Sequence, residues 1–153
     1  MLFLLFVMMA SAALPPLSSE DRAERSSHII EGTVVSTTRT QIRTTELRTN
    51  SNPEFENWQY TVTIEKAKLT KGTEGYHPTV GTLGRVATKA HIVYWKPAKR
   101  PQGWVGPQGQ NSHPEVGDEI IAYCKRKDRD EKDTYHLIEP NGWEKQKGGR
   151  EEI

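Results

Sequence analysis

Trp58, Tyr60, Val62 and Ile64 alternate without a break with Gln59, Thr61, Thr63 and Glu65. A period of two puts the large apolar side chains on one face of an extended strand and the polar ones on the other. A helix cannot use that pattern, and no segment of the chain carries an apolar stripe at the i, i+3, i+4, i+7 spacing of an amphipathic helix. The chain is therefore expected to be all-β with little helix.

Other runs extend this reading. Residues 28–36 set Ile30, Gly32 and Val34 against Ile29, Glu31 and Thr33, and a glycine inside such a run marks a bulge or bend. After Ile64 the apolar register moves to Ala67 and Leu69, a one-residue slip that a β-bulge near Glu65-Lys66 would absorb. Residues 85–95 place Val86, Ala90, Ile92 and Tyr94 on one face, with Ala87, Val93 and Trp95 on the other. Residues 119–125 and 134–139 form the fourth and fifth strands, joined by a charged hairpin loop over 127–133, and Pro140-Asn141-Gly142-Trp143 closes with a turn. The Thr-rich residues 37–57 are a long loop or an extended hairpin arm. Five short strands with long connections suit a small five-stranded OB-like barrel, closed or partly open, because closure removes exposed edges.

The two ends read differently. Residues 1–12 contain eleven apolar residues and no charge, and Ala10-Ser11-Ala12 has the small-x-small form that signal peptidases accept. The run is too short to span a bilayer and is expected to be a signal peptide, which makes the protein secreted or periplasmic. Residues 13–27, with Pro15-Pro16, paired serines and Glu20-Asp21-Arg22, have too few apolar side chains to bury a face and are expected to be a disordered linker. The barrel domain then occupies residues 28–145, and residues 146–153 are a flexible polar tail.

The order of elements, the Ile30-x-Gly32-x-Val34 opening strand, the Val116-Gly117-Asp118 step and the Pro140-Asn141-Gly142-Trp143 ending together resemble secreted OB-fold proteins of the netrin-like kind. The resemblance covers about residues 28–143 and implies the barrel fold. Netrin-like inhibitors carry disulfides and often an N-terminal cysteine, whereas this chain has Cys124 alone, so protease inhibition is not implied. The chain also resembles uncharacterised secreted bacterial proteins ending in Pro-Asn-Gly-Trp, which implies no function.

The charge balance, 21 Lys and Arg against 20 Asp and Glu, argues against a strongly basic nucleic-acid binder. A single cysteine rules out an intramolecular disulfide framework and a Cys-rich zinc site. The five histidines, His28, His77, His91, His113 and His136, show no metal-pair spacing, and Asp128 to Asp133 departs from a calcium loop at the positions that need an oxygen ligand and a glycine. No cofactor and no catalytic residue is assigned.

The aromatic residues are more informative. Residues 97–117 contain four prolines and four glycines, a density that regular elements do not tolerate, and Trp104 lies between Gly103 and Gly106. The candidate ligand-binding set is Trp104 as anchor with Tyr94, Trp95, Lys96, Lys99 and Arg100. Aromatic planes stack on sugar rings or peptide side chains, and the cations offer an anionic ligand a point of attachment. The structural alternative has Trp58 and Trp95 plugging the barrel ends and Trp104 pinning the loop. The expected function is a secreted, non-catalytic binding module for an extracellular glycan or polypeptide, without nucleic acid and without a stable membrane span in the mature chain. A structural or assembly protein of the cell envelope and a metal-assisted hydrolase are the alternatives.

Overall fold

The structure, a computed structural model, describes residues 14–43, 56–72, 89–100, 102–103, 106, 108–126 and 133–147. The expected signal peptide, the loop at 127–132, His77, Val86, Ala87 and Trp104 lie outside the described residues. The elements in chain order are α1 (Ser19–Arg25), β1 (His28–Arg43), β2 (Glu56–Lys71), β3 (Lys89–Lys99), β4 (Glu119–Lys125), β5 (Thr134–Leu137) and β6 (Trp143–Lys145). The chain is all-β apart from the single 7-residue helix among the described residues. No helix among them is long and apolar enough to cross a membrane.

The strands lie in the order β1-β2-β3-β5-β4-β6, and β1 also pairs with β4, so five strands close into a ring with β6 outside it. The pairings are antiparallel except β3 with β5, which run parallel over His91–Val93. The alternation read from the sequence fills the ring's interior: Ile30, Val34, Val62, Ile64, Ala90, Ile92, Ile120, Ala122 and Cys124 are all at most 1% exposed. Each large side chain buried this way contributes about 1.5–3 kcal/mol of apolar transfer, which is what holds a chain with no disulfide together.

The register slip predicted near Glu65-Lys66 is present. Glu31 faces Lys68 and Thr33 faces Glu65, so Gly32 alone stands opposite two residues of β2, with Lys66 at φ 53°. A Cβ at Gly32 would come within 2.8 Å of the Glu65 carbonyl oxygen and closer still to the Ile64 side chain, so the bend needs a residue without one. A second slip, Val34 to Ile64 and then Ser36 to Thr63, leaves Val35 as an extra residue on β1 and turns it outward, 36% exposed.

Beyond the ring, β1 and β2 continue as a long hairpin. β1 pairs with β4 only as far as Thr33, while its pairing with β2 runs on to Arg43 and Glu56. β3 accompanies them as far as Lys99, well past the Val93 limit of its pairing with β5. The described parts of the Thr-rich stretch are thus a hairpin arm, and a three-stranded arm stands out from the ring.

Three sequence expectations need correction. Residues 19–25, expected within a disordered linker, form α1, and residues 97–99, expected in a loop, extend β3. Pro97 is accommodated because β5 no longer flanks β3 there, so its missing N–H is not required on that side. The turn after Pro140 leads into a sixth strand, which pairs with β4 through Trp143–Ala122 and Lys145–Ile120.

The Pro140-Asn141-Gly142-Trp143 motif explains both the helix and the strand. The Asn141 side chain accepts from the Leu17 amide and donates to the Leu17 carbonyl, each at 2.9 Å. Gly142 donates its amide to Gln110 Oε1 at 2.9 Å, and a Cβ there would sit 3.0 Å from both Ile138 N and Leu137 Cβ. Trp143 packs on the core and donates its indole N–H to the Ser112 carbonyl at 3.2 Å. Arg22, 7% exposed, reaches from α1 to the Asn141 carbonyl at 3.2 Å, pairs with Glu144 and lies 4.9 Å from the Tyr123 ring centroid. Two polar clamps therefore hold α1 where apolar burial does not.

Candidate ligand-binding face

Strand alternation divides the residues that the sequence groups together. Tyr94 points into the ring and is 4% exposed; burial first, and then the neighbouring Tyr60, push its phenol well above the ordinary tyrosine value. It is a core residue, closed to a ligand. Lys96 lies on the same side one row further out, with Nζ donating to the Asn111 carbonyl at 3.2 Å. Trp95 lies on the opposite face, where its indole N–H donates to the Glu139 carboxylate and its carbonyl accepts from Gln110 N at 3.1 Å. Lys99 is exposed at the end of β3, across from Glu56. Arg100 is a latch: it donates to the Glu56 carbonyl at 2.7 Å and to the Asn57 side chain, with its guanidinium 5.9 Å from the Trp95 ring centroid. Partial burial lowers its pKa from the ordinary arginine value.

Part of the segment expected to be an open interaction loop is fastened down. Gln110, 1% exposed, donates to the Ile138 carbonyl at 2.6 Å, and Asn111 N donates to the Pro140 carbonyl at 2.8 Å. His113 Nδ1 shares a hydrogen bond with the Tyr94 hydroxyl at 2.7 Å. These contacts lay residues 110–113 along the ring beside the arm.

On the arm's core-facing side, pairing aligns Arg39 with Tyr60 and Tyr94 in one row, and Gln41 with Trp58 and Lys96 in the next. Tyr60 stacks on Tyr94 at 5.1 Å with 5° between the rings, and His113 stands 4.5 Å from Tyr60. The Arg39 guanidinium lies 4.4 Å from the Trp58 ring centroid. Desolvation, and secondarily the Lys96 charge, lower the His113 pKa from its ordinary value. Neither Arg39 nor Lys96 has a carboxylate partner among the described residues. Among the described residues the face carries an acid at its outer end, Glu56, which accepts from the Gln41 side chain. Arg39, Trp58, Tyr60 and Lys96 thus form a continuous surface with an exposed guanidinium, a half-buried ammonium and half-buried aromatic rings, and His113 lies along its lower edge.

Of the described members of the sequence set, Lys96 lies on this face and Lys99 stands at its outer end, opposite Glu56. Trp58 plugs no end of the ring but lies under Arg39. Sequence reasoning missed Arg39, Tyr60 and His113. Thr37-x-Arg39-x-Gln41 does repeat with a period of two, but only the register with Trp58 and Tyr60 makes a surface of it. The Tyr94–His113 contact joins residues 19 positions apart and leaves no local pattern.

Elsewhere, Cys124 is fully buried in the core, and burial pushes its thiol far above the ordinary value. His91 Nδ1 lies 3.2 Å from Thr63 Oγ1 on the outer side of the sheet. Among the described residues no three His, Cys, Asp or Glu side chains gather as a metal site would require. No family model matches the chain, and no curated protein or solved structure shows a significant match to it.

Proposed function

We propose that the protein is an exported, non-catalytic binding module built on an OB-like barrel of the netrin-like kind, and that it takes an extracellular glycan or polypeptide on the inner face of its arm. The observation that carries this reading is the open surface of Arg39, Trp58, Tyr60 and Lys96, where cations and aromatic rings stand together and neither cation is paired with a carboxylate among the described residues. Such a surface gives a ligand both stacking area and charge-assisted hydrogen bonds. The ring of five strands has the strand count of an OB barrel, which supports the fold assignment. Export is supported by the apolar, uncharged residues 1–12 and their small-x-small ending.

A glycan and peptide array probed with the full chain tests the reading. Binding that Trp58→Ala abolishes without shifting the unfolding midpoint is the expected result; silence across the array rejects it. One observation favours the second reading, an assembly role in a cell envelope: from Ser36 onward β1 has no strand on its outer edge among the described residues. Exposed edges recruit other strands. That reading requires a mass that grows with protein concentration, which sedimentation measures.

A further inference from the structure

We infer that the ligand of the arm's inner face is an acidic glycan, a carbohydrate chain bearing carboxylate or sulfate groups, held by Arg39 and Lys96 across Trp58 and Tyr60. This rests on the binding reading above and narrows its ligand. Both cations are held in place before any ligand arrives. Arg39 is set over the Trp58 ring at 4.4 Å, which restrains a side chain that would otherwise sweep through solvent, and Lys96 is tethered to the Asn111 carbonyl at 3.2 Å. They stand on strands either side of β2 and one row apart along it, so two strand spacings and a two-residue offset separate their backbones by about 12 Å. That separation suits a chain with repeated anionic groups better than one small anion.

The backbone decides between a glycan and an acidic polypeptide. From Glu56 to Glu65, β2 is paired with β1 on one side and with β3 on the other, and the arm's free edge, on β1, lies beyond Arg39, so a strand added there would stand three strand spacings, about 14 Å, from β3 and Lys96. A polypeptide that binds by strand addition needs such an edge. A glycan does not: its hydroxyls bond to side chains, and Thr37 and Gln41 are exposed on the same face, with His113 exposed beside it.

Titration calorimetry on the full chain with four probes of matched length tests this: dextran sulfate, polygalacturonate, neutral dextran and polyglutamate. Binding of at least one acidic glycan is expected, with neutral dextran roughly tenfold or more weaker, as loss of a charge-assisted contact implies. Binding of one acidic glycan alone identifies sulfate or carboxylate as the anion read. Arg39→Glu and Lys96→Gln should each weaken binding by a similar factor, while Lys125→Glu, on β4 away from this face, leaves it unchanged. Arg39→Gln gives the same reading if the charge reversal disturbs folding. The inference is overturned if neutral dextran binds as tightly, if polyglutamate binds more tightly than both acidic glycans, or if a folded Arg39 variant keeps full affinity. Each of those outcomes leaves a binding module with a different ligand. If all four probes and the glycan and peptide array stay silent, the binding reading itself falls.

Discussion

At Gly32 the backbone of β1 runs so close to the bulge in β2 that a single methyl group has nowhere to go. Overpacking of this kind costs about 1–3 kcal/mol, and Gly32→Ala is expected to lower the urea midpoint accordingly. An unchanged midpoint would mean that the bulge at Lys66 yields. His113 gives a prediction of a different kind. Its folded pKa is lowered from the ordinary 6.5 by partial desolvation of an otherwise exposed ring and then by Lys96, so the unfolded chain takes up this proton at a higher pH than the folded protein does. The residue's contribution to stability is therefore intact above about pH 6.5 and is lost progressively as the pH falls toward the folded value. Thermal unfolding between pH 7 and pH 5 should show a midpoint that drops on acidification, with a shallower drop in His113→Gln. Asp118, held down chiefly by the Glu115 amide and also by Lys145, acts below its ordinary 3.8 and leaves that window clear. Equal slopes in the two proteins would remove His113 from the account.

Helix α1 shows where local sequence reasoning stops. Its start is capped by Ser18, which accepts from the Asp21 amide at 3.1 Å, inside a stretch read from the sequence as a disordered linker. What could not be read was a reason for a 7-residue helix to exist, since so short a segment does not hold itself and carries no apolar stripe. The reason lies more than a hundred residues away, in Asn141, Trp143 and Glu144. The four residues of the Pro-Asn-Gly-Trp motif were visible as a turn, and their use as a dock for α1 was not. Asn141→Ala removes both hydrogen bonds to Leu17 and is expected to cost about 1–3 kcal/mol. Limited trypsin digestion supplies the second readout. Arg22 is buried in the docked helix, and cleavage after Arg22 and Arg25 should quicken in the variant. Unchanged cleavage would show that the contacts of Arg22 suffice to keep α1 in place.

The ring and the arm differ in how they were written into the sequence and in what keeps them ordered. The ring was legible because a closed interior demands apolar side chains at every second position, and Ile30, Val34, Val62, Ile64, Ala90 and Ile92 all obey that demand. The arm was only half legible. Its β1 side, Ser36 to Gln41, is exposed and polar throughout, so no alternation separates its faces and the ligand-binding candidates there carry no signal. Position along the strand then misled, because Tyr94 and Trp95 are neighbours in sequence but point to opposite sides of one sheet. The same contrast predicts stability. Within the ring, residues 62–64 of β2 are paired on both sides and backed by buried Ile30, Val34 and Ile92, so their amides should exchange with solvent only when the whole molecule unfolds. Among residues 37–41 of β1, those amides bonded to β2 are sealed on one edge alone and have exposed side chains, so they should exchange through local opening of the arm. Hydrogen exchange followed by NMR is expected to show protection in the arm lower by on the order of a hundredfold. A ligand bound on the inner face should close much of that gap without affecting the ring. Equal protection in the free protein would mean that ring and arm open as one unit, and would leave the arm no freedom to adjust to what it binds.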